Sequence, residues 1–305
     1  MADDPLPAWN DGLNKQSILD FVAAVTAAGG DQFVAEGDRI AVFDNDGTLW
    51  CEQPLYIQLG FVLDRVRSLA PEHPEWQEQQ PFKAILANDR EALAALTKGD
   101  LAALIAATHA GMTTDAFAEV VRAWIGTAKH PRFKRLYTEC VYQPMLELLD
   151  YLRANGFQTW IVSGGGVDFM RVFAEAVYGV PPAQVIGSSC KVQFEFRDGR
   201  PVLVKLPELS SFDDKEGKPG NIHLHVGRQS ILAAGNSDGD LAMLQYTAGR
   251  DGRSLALIVD HDDAEREYAY RISPLGRLEA ALAEARQWGW TVVSMKDDWN
   301  RVFPT

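Results

Sequence analysis

The sequence predicts an α/β protein: a parallel sheet covered by helices on both faces, with a helical segment inserted after the first core strand. Three observations carry this. Several short runs are almost continuously apolar, and each stops at a cluster of polar or glycine residues. Segments with helical spacing lie between these runs. The stretch from residue 50 to 140 lacks strand patterning. Strands that are apolar at every position belong to sheets buried on both sides, and alternation with helices makes such sheets parallel.

The apolar run at residues 39–43 leads straight into Asp44. A second, 157–162, ends at Ser163 and three glycines. A third, 231–234, ends at Gly235 and Asn236, and a fourth, 255–259, ends at Asp260, His261, Asp262 and Asp263. Residues 185–187 and 291–293 are shorter strand candidates. Helical spacing covers residues 15–28, 145–154, 167–178, 241–246 and 275–288. Residues 191–204, with a turn at Arg197-Asp198-Gly199, read as a β-hairpin. In the strandless stretch, residues 90–109 are rich in Ala and Leu. Residues 113–125 place Phe117, Val120, Val121 and Trp124 on one helical face, and Pro71, Pro74 and Pro81 break the segment before them. In open parallel sheets the ligand sits outside the carboxyl ends of the strands. The polar clusters occupy those ends.

A chain of 305 residues, 47% hydrophobic, suits one large domain or a core with an insertion. The formal net charge of -13 repels nucleic acid, so an anionic substrate needs a local positive centre such as a metal ion and a lysine. Cys51, Cys140 and Cys190 lie far apart without metal-ligand spacing and read as reduced, isolated cysteines. No apolar stretch reaches the roughly 18 residues of a membrane span. Met1-Ala2-Asp3-Asp4-Pro5 has no signal-peptide core, which points to the cytoplasm, or to the periplasm if a leader has been removed.

The strongest chemical signal is Asp44-Asn45-Asp46-Gly47-Thr48-Leu49 at a strand end. Two carboxylates two residues apart on a tight loop can face one pocket in different roles. One binds a divalent cation and attacks phosphorus; the other serves as general acid and then general base. Gly47 allows the sharp turn, and the Thr48 hydroxyl can donate to a phosphoryl oxygen. Taken alone, the same run also reads as an Asx-capped turn.

Strand-Asp-x-Asp-Gly-Thr resembles the first motif of the haloacid-dehalogenase superfamily, and residues similar to its other motifs follow in order. Ser163 and Gly164 stand where that family has a phosphoryl-binding strand end. Lys218 resembles the motif lysine, with Lys215 as close rival and Lys205 as a distant one. The acidic fourth motif reads Gly235-Asn236-Ser237-Asp238-Gly239-Asp240, with Asn236 where the family usually has Asp. The resemblance implies a Rossmann-like core over 1–49 and 141–305, and a helical cap over 50–140 similar to that of phosphoserine-phosphatase-like enzymes. It implies Mg²⁺ held by Asp44, the backbone carbonyl of Asp46 and the Asn236/Asp240 loop; which of Asn236, Asp238 and Asp240 bonds it directly stays open, with Asn236 favoured, Asp240 as ligand or as acceptor for a metal-bound water, and Asp238 as a supporting residue. Asp44, Asp46 and Lys218 would be catalytic, and Thr48, Ser163 and Gly164 would bind the phosphoryl group. The implied activity is hydrolysis of a small phosphorylated metabolite through an aspartyl phosphate, because the dehalogenating branch lacks the second carboxylate. A phosphotransferase or mutase, and a catalytically weak binder of phosphorylated ligands, are the alternatives. Glu52, Gln53, Tyr56, His130, Arg132 and Arg135 are candidates to meet the leaving group, and His261, Asp262 and Asp263 to line the rim. Trp288, Trp290 and Trp299 read as core packing.

Overall fold

The computed structural model describes residues 4–272 and 276–305. Eight strands form one sheet: β1 (Ile40–Phe43), β2 (Gln158–Gly166), β3 (Val185–Arg197), β4 (Arg200–Ser211), β5 (Leu232–Gly235), β6 (Leu255–Asp262), β7 (Ala269–Tyr270) and β8 (Thr291–Ser294). Their order is β4-β3-β2-β1-β5-β6-β7, with β8 also paired to β6. The central pairs are parallel, while β3/β4 and β6/β7 are antiparallel. β1 lies in the middle, pairing Phe43 with Ile161 of β2 on one side and with Ala234 of β5 on the other.

The continuous apolar character of these strands follows from burial on both faces. In β1, Ala41 and Phe43 enter one core cluster, and Ile40 and Val42 enter the other. β6 splits in the same way, with Leu257 and Val259 against Ala256 and Ile258. The first face is covered by the helices Leu13–Thr26 and Gln143–Ala154 and by the insertion. The second is covered by the helices Gly217–Val226, Leu241–Ala248 and Glu279–Trp288. The expected start of the last helix at Leu275 lies outside the described residues. Among the described residues no helix is long and apolar enough to cross a membrane.

Between β1 and β2 the described elements are helical, as the missing strand pattern predicts. The helix Ile57–Leu69 was not legible: its polar face carries Gln58, Asp64 and Arg65, and its apolar spacing begins inside a proline-bounded loop. Residues 90–109 form two helices, Arg90–Ala94 and Lys98–His109, the second opened by a Thr97/Asp100 capping box. The hairpin is longer than predicted. Asp198 and Gly199 take φ of 50° and 74°, the two left-handed positions of a type I′ loop. The expected helix over residues 167–178 splits into Val167–Met170 and Ala174–Tyr178. The tryptophans do not form one cluster. Trp299 is buried against Trp9 and Tyr142, whereas Trp288 is half exposed and bonds Glu284.

His109 closes the helix Lys98–His109 inside an aromatic cluster with Phe61 and Phe117. Burial, reinforced by the nearby Lys205 ammonium, holds its imidazole down at about 3. The unfolded chain therefore takes up a proton near pH 6.5 that the folded chain refuses, so stability falls as pH drops through that window. From pH 7 to 5 this one group removes about 2 kcal/mol of stability. Urea unfolding at both pH values should show that loss shrinking by a similar amount in His109→Leu; an unchanged pH dependence would refute the assignment.

Candidate active site

The carboxyl ends of β2, β1 and β5, adjacent in the sheet, bring together the residues singled out by the motifs. Asp44 leaves β1 and is nearly buried. Its backbone N–H donates to the Ala234 carbonyl of β5 at 2.9 Å, which fixes the loop at its root. Gly47 turns the loop at φ 72°, and a Cβ there would run into the Asn236 amide and the Glu52 carboxyl. Only glycine suits that position.

Lys218 is the cation of the site. Its Nζ donates to Asp44 Oδ1 at 2.7 Å, to Asp240 Oδ1 at 2.6 Å and to the Val162 carbonyl at 2.9 Å. It lies in the first turn of the helix Gly217–Val226, not in a loop. Gly217, Pro219 and Gly220 hide that helix from a propensity reading, yet proline in a first turn loses no hydrogen bond. Burial opposes charge on Lys218, but Asp240 and Asp44 outweigh it and hold the ammonium above its ordinary range. Lys215 is exposed. Lys205 pairs with Asp168 and lies over the Phe117 ring, so neither rival reaches Asp44.

Asp240 is a hub. Besides Lys218, it accepts from the backbone N–H of Asn236 at 2.9 Å and of Ser237 at 3.0 Å through Oδ2. Its oxygens are thus engaged in shaping the loop and aiming the lysine. Asp238 accepts from Ala281 N–H at 2.8 Å and caps the helix Glu279–Trp288. Asn236 is left as the side chain facing the first loop: Oδ1 accepts from Thr48 Oγ1 at 3.1 Å, and Nδ2 donates to Glu52 Oε1 at 3.3 Å. The Thr48 hydroxyl is fully buried and links the two loops.

Ser163 is buried at the end of β2 and accepts from Gly165 N–H at 3.2 Å. The glycine run belongs to β2 itself, through a register break between Ser163 and Gly166. The helix behind it has only four residues, and the Gly166 N–H is already taken by Gln58 Oε1 at 2.7 Å. The insertion thus contacts the glycine run directly. Asp46, half-buried, receives the Trp50 indole N–H on Oδ1 at 2.8 Å. Burial pushes its carboxyl up to about 6, against the pull of that bond and of Lys218.

Of the leaving-group candidates, Glu52 and Tyr56 lie at the site. Burial pushes Glu52 up to about 7, although His261 pulls the other way. Burial raises the Tyr56 hydroxyl, and the charges of Glu52, Asp46 and Asp44 add to that rise. The others are structural. The His130 ring accepts from Arg132 N–H and Phe133 N–H through Nδ1, so its Nε2–H donates to the Gln53 carbonyl at 2.7 Å. Arg132 binds the carbonyls of Ala264 and Glu265, and Arg135 that of Pro304. His261 is not at a solvated rim. It is buried, with Nε2 2.7 Å from the Gly47 carbonyl and Nδ1 3.1 Å from Glu267. Asp262 accepts from Ser294 and the backbone of Lys296, and Asp263 from the turn at Glu265 and Arg266. Trp50, Gln58 and Glu267 were missed; Gln58 acts across 108 residues, and the short-range bonds of Trp50 to Asp46 and Glu267 to His261 leave no motif.

The fold and the site define an α/β enzyme whose reactive groups are carboxylates gathered with one lysine at the C-terminal edge of a parallel sheet. Residues 41–245, about two thirds of the chain, match the model of the haloacid dehalogenase-like hydrolases, and the chain belongs to that family. No curated protein matches the chain at a significant level. A conserved functionally unknown protein from Anaerococcus prevotii DSM 20548 is 14% identical over 92% of this chain and 91% of its own, with TM-score 0.59. A protein with unknown function from Bordetella pertussis Tohama I is 18% identical over 84% of this chain and 97% of its own, with TM-score 0.50. A probable phosphoserine phosphatase from Vibrio cholerae is 17% identical over 82% of this chain and 65% of its own, with TM-score 0.40.

Proposed function

We propose that the protein is a Mg²⁺-dependent phosphatase that hydrolyses a small phosphomonoester through a phosphorylated Asp44. The observation that carries this reading is the buried Lys218, bonded at once to Asp44 and Asp240, with Asp46 two residues along the same loop. Asp44 Oδ1 is held by Lys218, and Oδ2 attacks phosphorus as the ester P–O bond breaks. Asp46, whose burial pushes its carboxyl up to about 6, gives its proton to the departing alkoxide. It then takes a proton from water, whose oxygen displaces Asp44 from phosphorus and releases phosphate. Ser163 and Lys218 steady the phosphoryl oxygens.

Among the described residues no three His, Cys, Asp or Glu side chains form a metal cluster. The oxygens of Asp44, the Asp46 backbone and Asn236 are nevertheless the hard donors that Mg²⁺ prefers, with an amide in place of one carboxylate. The ion would supply positive charge to the phosphoryl group. Residues 50–140 act as a cap over the core formed by 1–49 and 141–305. The contacts of Glu52 and Gln58 with the core loops support this. Substrate choice then resides in Glu52, Tyr56 and Gln58.

The test is release of phosphate from p-nitrophenyl phosphate and a panel of small phosphate esters, with Mg²⁺ and with EDTA. Metal-dependent turnover supports the reading, and silence across the panel with Mg²⁺ bound overturns it. Turnover that requires an added alcohol would indicate a phosphotransferase. Asn236→Asp offers an independent check of the metal. It sets a second carboxylate beside Glu52, so the apo protein should melt lower and Mg²⁺ should raise its melting temperature more than it does for the unmodified chain. An equal or smaller Mg²⁺ shift would remove position 236 from the metal site.

A further inference from the structure

The indole of Trp50 has a place in the site that the motif chemistry does not assign. The loop wraps around the Asn45 carbonyl, which accepts from Thr48, Leu49 and Trp50 N–H, and Gly47 N–H donates to the Trp50 carbonyl at 2.8 Å. That closure turns the Trp50 side chain back under its own loop. The ring is buried and lies on Phe173, with centroids 4.6 Å apart and planes at 24°. Phe173 is in turn held edge-on by Phe169 and Tyr178. On this shelf the indole N–H meets Asp46 Oδ1 at 2.8 Å.

We infer that Trp50 is a positioning residue that fixes which oxygen of Asp46 carries the transferable proton. An indole N–H donates and cannot accept. The carbonyl oxygen is the better acceptor of a neutral carboxyl, so the indole favours Oδ1 as that oxygen and the proton on Oδ2. The same bond stops the carboxyl from rotating, which leaves Oδ2 the fixed donor to the leaving alkoxide and the fixed acceptor from water. A general acid works only when its proton lies within hydrogen-bond reach of the departing oxygen, and misplacement costs rate directly.

The inference rests on the phosphatase reading, and the experiment separates the two. A nitrophenolate leaves without needing a proton, whereas an alkoxide does not. The ratio kcat/KM covers steps only up to departure of the alcohol, so later hydrolysis of the aspartyl phosphate does not blur the comparison. Trp50→Phe keeps the stacking on Phe173 and deletes the N–H. It should lower kcat/KM for glycerol 2-phosphate about tenfold or more, while p-nitrophenyl phosphate changes less than about threefold. A purely structural role would lower both esters together; an equal loss, or none, overturns the inference. If Trp50→Phe does not fold, Phe173→Leu, which loosens the shelf and keeps the N–H, should show the same split at smaller size. Its absence there overturns the inference as well. Failure of the unmodified protein to turn over either ester overturns the phosphatase reading and this assignment with it.

Discussion

Asp44→Asn should lower kcat by about ten-thousand-fold or more while leaving the fold intact, because it removes the atom that bonds to phosphorus. The amide is isosteric and can still accept the Lys218 hydrogen bond through its oxygen. Loss of turnover thus reports chemistry and not collapse of the loop, and circular dichroism with a melting curve verifies that directly. Mass spectrometry after rapid acid quench should find a phosphorylated peptide containing Asp44 in the unmodified protein and none in the variant. A variant retaining more than about one per cent of the activity would remove Asp44 as the nucleophile.

Lys218→Met should cost both stability and rate. The lysine is buried and offsets two carboxylates at once. Its removal leaves Asp44 and Asp240 facing each other without a counter-charge, and breaking such a buried group typically costs about 3 kcal/mol. The deficit has a definite pH sign. Unpaired and buried, the two carboxyls are pushed up, so the variant gains protons on folding. Its shortfall relative to the unmodified protein should therefore be largest near neutrality and shrink as pH falls and the carboxylates are neutralised. In an Asp240→Asn background the same change should cost less, and the difference measures the coupling. Denaturant titrations at pH 7.5 and 5.5 decide this; a variant as stable as the parent would mean that the three charges are not energetically linked.

The core and the main groups of the site were legible because each announces itself locally. A strand buried on both faces must be apolar throughout, so the first polar side chains after each apolar run, Asp44, Ser163 and Asn236, mark their own positions. Lys218 was found by order along the chain, although its helix was hidden by Gly217, Pro219 and Gly220. What stayed illegible depends on contacts between distant segments. Glu52 meets Asn236 across 184 residues, Gln58 meets Gly166 across 108, and His261 reaches Gly47 across 214. None of these pairs leaves a periodicity or spacing. The bond of Thr48 to Asn236 across 188 residues is equally invisible in the sequence.

The central place of β1 has a consequence for the chain as it is made. Asp44 is fixed by Ala234, and its lysine and hub arrive from residues 218 and 240, so the first chemically important residue synthesised is among the last to be completed. A chain that ends between residues 46 and 218 carries both loop carboxylates but lacks the lysine that bonds Asp44. Such a fragment lacks both the cation that holds Asp44 and the loop that carries Asn236 and Asp240. The proposed phosphatase activity would therefore require the chain at least through residue 240.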